Sequence, residues 1–322
     1  MENECKYISI RALKRLCTFK SDVYLSDTQN GKEYLSEMIK GNKMIDGMSI
    51  FVCSDLLDFF VTTIVDKIKN TFVLVTGMSI KTCPVEALTQ PNFFKLINNK
   101  YLIKWCSQNN SILDHPKIIQ VPLGIDYHSV YNSPEKWKKI ADGNTPLEQE
   151  KYLNNVITMA HSIPFYERIN KIYVNFDVNA DRFGQRKQCL KDIPKSLMVM
   201  YQQKLKRTQT WIHTTKYAFV VSPYGQGMDC HRTWEALILG SIPIIKSREF
   251  VKLFEDLPVL FVNDWKDINQ QLLDDTMERF KNMTFNYDKL TITHWKNVVF
   301  TPLRSLRENA HGNCYFSLMK CP

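Results

Sequence analysis

A glycine-bearing loop followed by a charged helix start is the most informative part of the sequence. Residues 217–246 read YAFVVSPYGQGMDCHRTWEALILGSIPIIK, a β-rich run, then Gly225 and Gly227, then a helix predicted to begin near Asp229. Glycines let the backbone approach a ligand closely, and a helix N-terminus offers free N–H groups with a positive partial charge. Asp229 is expected to cap these N–H groups. The segment is therefore predicted to hold a phosphate group.

Two charged side chains follow on one face of this predicted helix. Arg232 supplies a permanent cation, and Glu235 lies three residues later. A carboxylate one turn from a phosphate is placed to accept both hydroxyls of a ribose. Taken singly, an ordinary glycine turn and a solvated Arg–Glu pair fit as well, because G-x-G without a third glycine is weak evidence. Together, at the end of a buried strand where α/β folds bind ligands, these residues favour a nucleotide site.

Further polar residues are candidates for the same site because of their positions in the predicted elements. Arg182 and Arg186 come just after the first strand of the second half, and Lys246 ends a strand; a solvated basic loop is the alternative for these cations. His231, next to Arg232, is expected to act electrostatically. The further candidates for contacts in the predicted nucleotide site are therefore Ser222, His231, Arg182, Arg186 and Lys246.

Alternating short β-rich runs and helical stretches predict the fold. The runs are continuously apolar, which is typical of parallel strands that are covered on both faces. The sequence therefore predicts an α/β protein with two doubly wound sheets. The predicted strands are Ser49–Cys53, Thr71–Thr76, Tyr101–Cys106, Lys117–Val121, Lys171–Asp177, Tyr217–Val221, Ile242–Lys246 and Val259–Val262. The predicted helices are Asp55–Lys69, Asn92–Asn98, Arg186–Lys191, Ser196–Lys206, Gln209–Thr215, Asp229–Leu239, Glu249–Phe254, Trp265–Phe280 and Thr291–Glu308.

Composition limits the class of protein. The 322 residues are 44% hydrophobic and 23% charged, which excludes a disordered chain, a fibrous repeat and a small disulfide scaffold. The net charge of +9 favours an anionic partner. The sequence has no apolar run of membrane-spanning length, no signal-peptide pattern and nine cysteines without C-x-x-C spacing. We therefore expect free thiols and a cytoplasmic protein without a transmembrane segment.

The glycine loop and helix also resemble a known family. The pattern S-P-x-G-x-G-x-D-x-H-R-x-W-E-A-L-x-L-G-x-I-P-I-I, from Ser222 to Lys246, is similar to the donor-binding signature of exostosin-like glycosyltransferases. Related patterns occur in protein O-glucosyltransferase-like enzymes and in glycosyltransferase-like proteins of large viruses. The similarity is looser elsewhere, and it involves Asn175, Phe176, Arg182, Asn263, Asp264 and Trp265, together with Trp105, Asn109, residues 115–117 and residues 122–126.

The resemblance implies a GT-B architecture, in which two Rossmann-like domains face each other across a cleft. It implies a nucleotide-sugar donor in the C-terminal domain, most commonly a UDP-sugar, and an inverting transfer to a hydroxyl of a glycan, lipid or protein. The expected domains are residues 1–126 on the acceptor side, a linker over 127–165, the donor domain over 166–290 and a helical tail over 291–322 that packs back on the first domain. Secretory members carry a membrane anchor and disulfides, so this chain resembles a minimal soluble form, in the host cytoplasm if the source is a virus.

The chemistry that the resemblance implies needs a base and a counter-charge. Asp126, after a strand that ends in Pro-Leu-Gly, is the first candidate to deprotonate the acceptor, with Asp55 and Asp58 behind it. No Asp-x-Asp pair occurs and the histidines lack metal-ligand spacing, so no metal and no cofactor are expected. Arg232 is then expected to neutralise the diphosphate. The alternative is a non-catalytic protein that binds a nucleotide or a polyanion, although no nucleic-acid-binding motif is apparent.

Overall fold

A computed structural model describes residues 2–21, 29–41, 44–129, 143–160, 162–201, 205–246 and 249–301. Contacts within the chain separate two units. The first-sheet unit contains Leu16–Val121 and the chain from Lys296 onward, and the second-sheet unit contains Met1–Arg15 and Pro122–Trp295. Part of the predicted tail, up to Glu308, lies outside the described residues.

The first-sheet unit is built on four parallel strands in the order β1-β2-β3-β4. Their bounds are Met48–Cys53, Phe72–Gly77, Leu102–Ser107 and Ile118–Gln120. All residues of β1 and β2 are buried, as their continuous apolar runs predict. Ile50, Leu74 and Trp105 are fully buried residues of the core of this unit. Full burial of one such side chain stabilises the fold by roughly 1.5–3 kcal/mol.

The second-sheet unit contains five parallel strands in the order β6-β5-β7-β8-β9. Their bounds in chain order are Ile169–Val174 (β5), Met198–Met200 (β6), Tyr217–Val221 (β7), Ile242–Ile245 (β8) and Leu260–Phe261 (β9). The chain runs outward from β5 to β6 and then in the other direction from β7 to β9. The strand order therefore reverses between β5 and β7, the position at which doubly wound sheets bind ligands.

Helices connect and cover the strands. The α-helices are Ile10–Leu16, Gln29–Gly41, Gln90–Ile97, Pro146–Ala160, Gln185–Asp192, Arg207–Thr214, His231–Ile238, Gln270–Lys281 and Ile292–Phe300. Residues 54–67, predicted as one helix, form an irregular helical segment of 3-10, α and π turns. The two parallel sheets with connecting helices confirm the α/β class and the two Rossmann-like sheets. None of the described helices is both long enough and apolar enough to cross a membrane.

One helix lies in the segment to which the sequence assigned a linker. Pro146–Ala160 buries Leu153, Val156 and Ile157 at helical spacing. Its start has a reciprocal capping box, because the Glu148 N–H donates to Thr145 Oγ1 at 3.2 Å and the Thr145 N–H donates to the Glu148 carboxylate at 3.1 Å. The spacing Thr-Pro-x-Glu is typical of a helix start. The sequence predicted a linker here because turn-forming residues directly precede this pattern.

Three other predicted helices are wrong in part. Met198–Met200, inside predicted helix Ser196–Lys206, pairs with β5 as an edge strand, so tertiary pairing overrides local propensity. Residues 249–254 form turns. The predicted helix Trp265–Phe280 is divided at Asn269, whose side chain caps a new helix by accepting the Leu272 N–H at 2.9 Å.

The N-terminal segment belongs to the second-sheet unit, whereas the predicted boundary placed residues 1–126 together. Ser9 bridges to Gly124, and the Ile125 N–H donates to the Ile8 carbonyl at 2.8 Å. Gly124 has φ +71°, and a Cβ there would lie 2.0 Å from the Ile8 carbonyl oxygen, so only glycine fits this approach.

Candidate functional site

The predicted phosphate loop leaves the end of β7 and is tied to the helix that follows it. The Ser222 N–H donates to the Ile244 carbonyl at 2.8 Å, and the Ser222 hydroxyl is 2.6 Å from the hydroxyl of Thr233. Ser222 is buried, so its side chain fixes the loop to the helix. The helix His231–Ile238 ends in a Schellman motif, in which Gly240 has φ +77° and the Ser241 N–H donates to the Ala236 carbonyl.

The predicted cap Asp229 is wrong. Cys230 is the N-cap of the helix and makes no side-chain capping bond. The Asp229 carboxylate instead accepts the Leu123 N–H at 2.7 Å and the Trp234 indole N–H at 3.0 Å. Asp229 is only 5% exposed. Burial raises its pKa to about 6, because the effect of burial is larger than the opposite effect of these hydrogen bonds. Its carboxylate therefore holds residues 122–124 against the helix, and the predicted contact of Asp229 with a donor stays a prediction.

Arg232 points from the first turn of this helix into the interior at the end of β7. Its Nη2 donates to the Pro223 carbonyl at 2.9 Å, and its guanidinium carbon lies 5.0 Å from the centre of the Phe176 ring. Arg232 is 8% exposed, and its Nε is buried without a hydrogen-bond partner among the residues that the structure describes. Burial lowers the pKa of Arg232 to about 10, which still leaves it charged at neutral pH.

Arg186 brings a second guanidinium to the same aromatic ring. Its Nη1 donates to the Asp177 carbonyl at 2.7 Å and its Nε to the Tyr224 carbonyl at 3.2 Å. The guanidinium carbon lies 5.5 Å from the centre of the Phe176 ring, and Arg186 is also 8% exposed. Arg186 lowers the pKa of Arg232, as a neighbouring like charge does.

Gly225 has a packing role that the sequence did not predict. A Cβ at this position would lie 2.2 Å from Arg186 Nη2, so the missing side chain makes room for that guanidinium. The Gly225 N–H donates to the Gly227 carbonyl at 3.0 Å, and the Gly225 carbonyl accepts the Arg182 N–H at 3.1 Å. The loop thus packs against Arg186, and nothing in its backbone at Gly225 requires a positive φ.

Within the described part of the chain, no carboxylate forms an ion pair with Arg186 or Arg232. Glu235, half-buried one turn along the helix, is the acidic neighbour that raises the pKa of Arg232, although burial dominates the shift. Two buried cations that share one aromatic ring repel each other in a medium of low dielectric constant. The arrangement favours an anion with charge enough for both, which a diphosphate has.

Two predicted cations occupy other positions. Lys246 forms an ion pair with Asp264 at 2.8 Å, which lowers the pKa of that carboxyl. Arg182 is exposed, and its guanidinium carbon lies 5.2 Å from the centre of the Phe183 ring. The structure therefore brings Arg186 and Arg232 together. In contrast, Lys246 is paired with Asp264, and Arg182 lies over Phe183.

Asp126 does not lie in the first-sheet unit, where the sequence placed the acceptor-side base. It belongs to the second-sheet unit, since the loop before it pairs with residues 8–10. Burial alone would raise its pKa, but His128, His231 and Arg207 together hold the pKa well below the usual range. The guanidinium Nη2 of Arg207 lies 3.2 Å from Oδ2. The Ser129 N–H adds a bond of 2.9 Å to Oδ1. Such a carboxylate is a weak base at neutral pH.

Two histidines that the sequence did not connect lie beside Asp126. His128 Nδ1 is 3.3 Å from Asp126 Oδ1, and the rings of His128 and His231 meet edge to face at 5.7 Å between centroids. Burial lowers the pKa of His128 to about 3, partly opposed by Asp126, so its imidazole is neutral. His231 Nδ1 lies 2.6 Å from the Gly124 carbonyl oxygen. The spacing Asp126-x-His128 was the signal in the sequence for this cluster.

The remaining candidate carboxylates follow β1. Asp55 is half-buried, and its Oδ1 accepts the Ser79 hydroxyl at 2.7 Å with Lys81 Nζ at 3.9 Å. Asp58 accepts the Asn92 side-chain amide at 2.7 Å, which ties two helical segments together.

No protein-family model matches the chain, and no curated protein matches it. Among solved structures, it is similar to an alpha,alpha-trehalose-phosphate synthase (UDP-forming) from Burkholderia vietnamiensis, with 8% sequence identity and a TM-score of 0.37. That similarity covers 84% of this chain and 73% of the other.

The raised pKa of Asp229 predicts a pH-dependent contribution to stability. Its folded value of about 6 exceeds the ordinary 3.8, so folding favours the protonated form. This contribution is fully present below about pH 4 and is lost as the pH rises through about 6. Replacing Asp229 by Asn removes the titration. The difference in free energy of unfolding, Asp229→Asn minus the original chain, should therefore rise between about pH 4 and 6. Above about pH 6 this difference should stay constant.

Urea unfolding at several pH values measures this difference. Asp275→Asn, at an exposed position on the helix Gln270–Lys281, gives the baseline for losing one carboxylate. If the difference in free energy of unfolding between Asp229→Asn and the original chain stays constant with pH, the Asp229 carboxyl has an ordinary pKa in the folded chain.

Proposed function

We propose that the chain is a glycosyltransferase that uses a nucleoside diphosphate sugar as its donor. The observation that carries the proposal is the pair of buried guanidiniums of Arg186 and Arg232 on Phe176, at the reversal of strand order between β5 and β7. This position is where α/β sheets bind nucleotides, and the pair lacks a carboxylate within the described residues. The resemblance of residues 222–246 to the exostosin-like signature supports the same donor site.

In this proposal the two guanidiniums hold the diphosphate. The hydroxyl oxygen of the acceptor forms a bond to the anomeric carbon, the bond from that carbon to the β-phosphate oxygen breaks, and the acceptor proton passes to a base. The leaving diphosphate gains negative charge, which Arg186 and Arg232 stabilise in a site of low dielectric constant. A direct displacement of this kind is inverting and needs no metal on the diphosphate. UDP is the nucleotide that the resemblance favours.

Replacing either arginine tests the donor site. Arg232→Met and Arg186→Met keep the aliphatic volume and remove the charge, so each should weaken binding of UDP and of pyrophosphate about 10- to 100-fold, since a hydrogen bond to a charged group is worth about 1.5–3 kcal/mol. Calorimetric titration with UDP, GDP, CDP, ADP and pyrophosphate measures the change. Gly225→Ala should weaken binding too, because its Cβ displaces the flexible end of Arg186 without removing a charge.

Arg279→Met is the matched control, because Arg279 also lies over a phenylalanine ring, Phe280, but on the surface of another helix. Arg279→Met should bind UDP and pyrophosphate as tightly as the original chain does. If no nucleotide binds to the folded protein, and polyanions bind with a steep salt dependence that Arg186 and Arg232 do not affect, the alternative of a polyanion-binding protein is supported.

Glu235 is proposed to bind the ribose of the donor. Glu235→Ala should weaken binding of UDP about 10-fold or more, because two hydroxyls lose a charged acceptor, and should leave pyrophosphate binding nearly unchanged. Calorimetry with both ligands measures the ratio, and Glu278→Ala on the helix Gln270–Lys281 serves as the control. An equal loss for UDP and pyrophosphate would contradict the ribose contact.

The base is proposed to be Asp55, since Asp126 lies in the other unit and its neighbours hold its pKa well below the usual range. Asp55 follows β1, and its hydroxyl partner Ser79 follows β2. Met78 and Asn109, which follow β2 and β3, have positive φ values of 59° and 51°. Asparagine adopts this region readily, whereas at Met78 such a conformation costs about 1–3 kcal/mol, and strain of this kind is concentrated at functional sites. The resemblance also places the base in the N-terminal domain.

Asp55→Asn should lower the turnover of the nucleotide sugar by about 10²- to 10⁴-fold, the usual range for loss of a general base, and leave UDP affinity unchanged. Hydrolysis of the nucleotide sugar by water is the assay, since it needs no identified acceptor. Asp58→Asn is the control from the same segment and should turn over normally. Unchanged turnover in folded Asp55→Asn would exclude Asp55 as the base.

A further inference from the structure

Three side chains that bind metals in proteins meet in the second-sheet unit, apart from the arginine pair. Asp126 and His128 come from the segment after Gly124, and His231 is the first residue of the helix His231–Ile238. One ligand atom from each of the three lies within 4.8 Å of the others. Imidazole nitrogen and carboxylate oxygen are the ligands that zinc and neighbouring transition metals take.

The separations within this cluster fit a small tetrahedral ion. Two ligand atoms at about 2.0–2.2 Å from a tetrahedral zinc are about 3.3–3.5 Å apart. His128 Nδ1 and Asp126 Oδ1 are 3.3 Å apart. Despite this approach, His128 Nδ1 is buried and makes no hydrogen bond with any residue that the structure describes. A buried nitrogen of this kind needs a partner, and an ion between the two atoms supplies one.

The third ligand is held in the required tautomer by the backbone. His231 Nδ1 lies 2.6 Å from the Gly124 carbonyl oxygen. Because a carbonyl oxygen only accepts hydrogen bonds, Nδ1 carries the proton and Nε2 keeps its lone pair. Metal-binding histidines commonly donate their other ring N–H to such an acceptor, which fixes the orientation of the ring.

The carboxylate is oriented by its own partners. The Ser129 N–H binds Oδ1 at 2.9 Å, and Arg207 binds Oδ2 at 3.2 Å and also donates to Gln149 Oε1 at 2.7 Å. The Arg207 charge weakens the attraction of any cation. The cluster therefore suits an ion that gains most of its affinity from imidazole nitrogens, and it disfavours Mg²⁺ and Ca²⁺, which need several oxygen ligands.

We propose that Asp126, His128 and His231 form a binding site for one Zn²⁺-type transition-metal ion, with a fourth position left for water. The ion would link the segment after Gly124 to the first turn of the helix that carries Arg232. The proposal does not rest on the glycosyltransferase function, because it uses only the geometry of these three side chains.

Calorimetric titration of the full-length, chelator-treated protein with ZnCl₂ tests the site. One Zn²⁺ per chain should bind, Mg²⁺ and Ca²⁺ should not, and Zn²⁺ should raise the melting temperature. His128→Asn and His231→Asn should each lower Zn²⁺ affinity by more than the roughly 10- to 100-fold that loss of an outer-shell partner costs. Circular dichroism shows whether each variant is folded, and Asp126→Asn gives a third, independent test if one of them is not.

Two controls separate this site from other ligands of the chain. His294→Asn removes an imidazole outside the cluster, and Cys230→Ser removes the half-buried thiol next to His231; both should keep full affinity. The visible spectrum with Co²⁺ should show tetrahedral bands without a thiolate charge-transfer band. The proposal is overturned if no stoichiometric Zn²⁺ binds, if folded His128→Asn and His231→Asn both bind as the original chain does, or if Cys230→Ser abolishes binding.

Discussion

The constraint on which the proposed site depends is the burial of two guanidiniums against one phenylalanine ring. Arg186 and Arg232 lose most of their hydration, and the quadrupole of Phe176 and three backbone carbonyls replace only part of it. Among the residues that the structure describes, no carboxylate pairs with either guanidinium, so the potential at the end of β7 is positive. Such potential destabilises the free protein and stabilises a bound anion by the same interaction, which is why pre-positioned charge is effective in catalysis.

The surroundings of the pair hold it in place through backbone groups more than through side chains. The carbonyls of Asp177, Pro223 and Tyr224 accept from the guanidiniums, and Gly225 lacks the Cβ that would displace Arg186. These groups follow β5 and β7, the neighbouring strands between which the strand order reverses. The sheet topology thus determines where the cations meet, although Arg186 and Arg232 are distant in sequence.

The fold class and the position of Arg232 in the first turn of a helix were predictable because they depend on local patterns. Continuous apolar runs such as Tyr217–Val221 identify buried parallel strands, and Arg232 follows a strand, a loop and a helix start. The unpredicted features depend on contacts between distant segments. Asp229 has the residue type and position of a cap, but Leu123 and Trp234 provide better donors for a buried carboxylate. Likewise, Gly225 is a glycine because of Arg186, which no spacing in the sequence reveals.

Asp126 and Asp229 show why residue type alone does not define a catalytic carboxylate. Asp229 is buried and Asp126 is half-buried in the second-sheet unit, yet their pKa values move in opposite directions. Burial raises the pKa of Asp229 to about 6, whereas His128, His231 and Arg207 hold the pKa of Asp126 well below the usual range. Both connect residues 122–129 to the rest of the unit, Asp229 through Leu123 and Asp126 through Arg207. Since His231 Nδ1 also lies 2.6 Å from the Gly124 carbonyl oxygen, this segment is fixed at the residue next to Arg232.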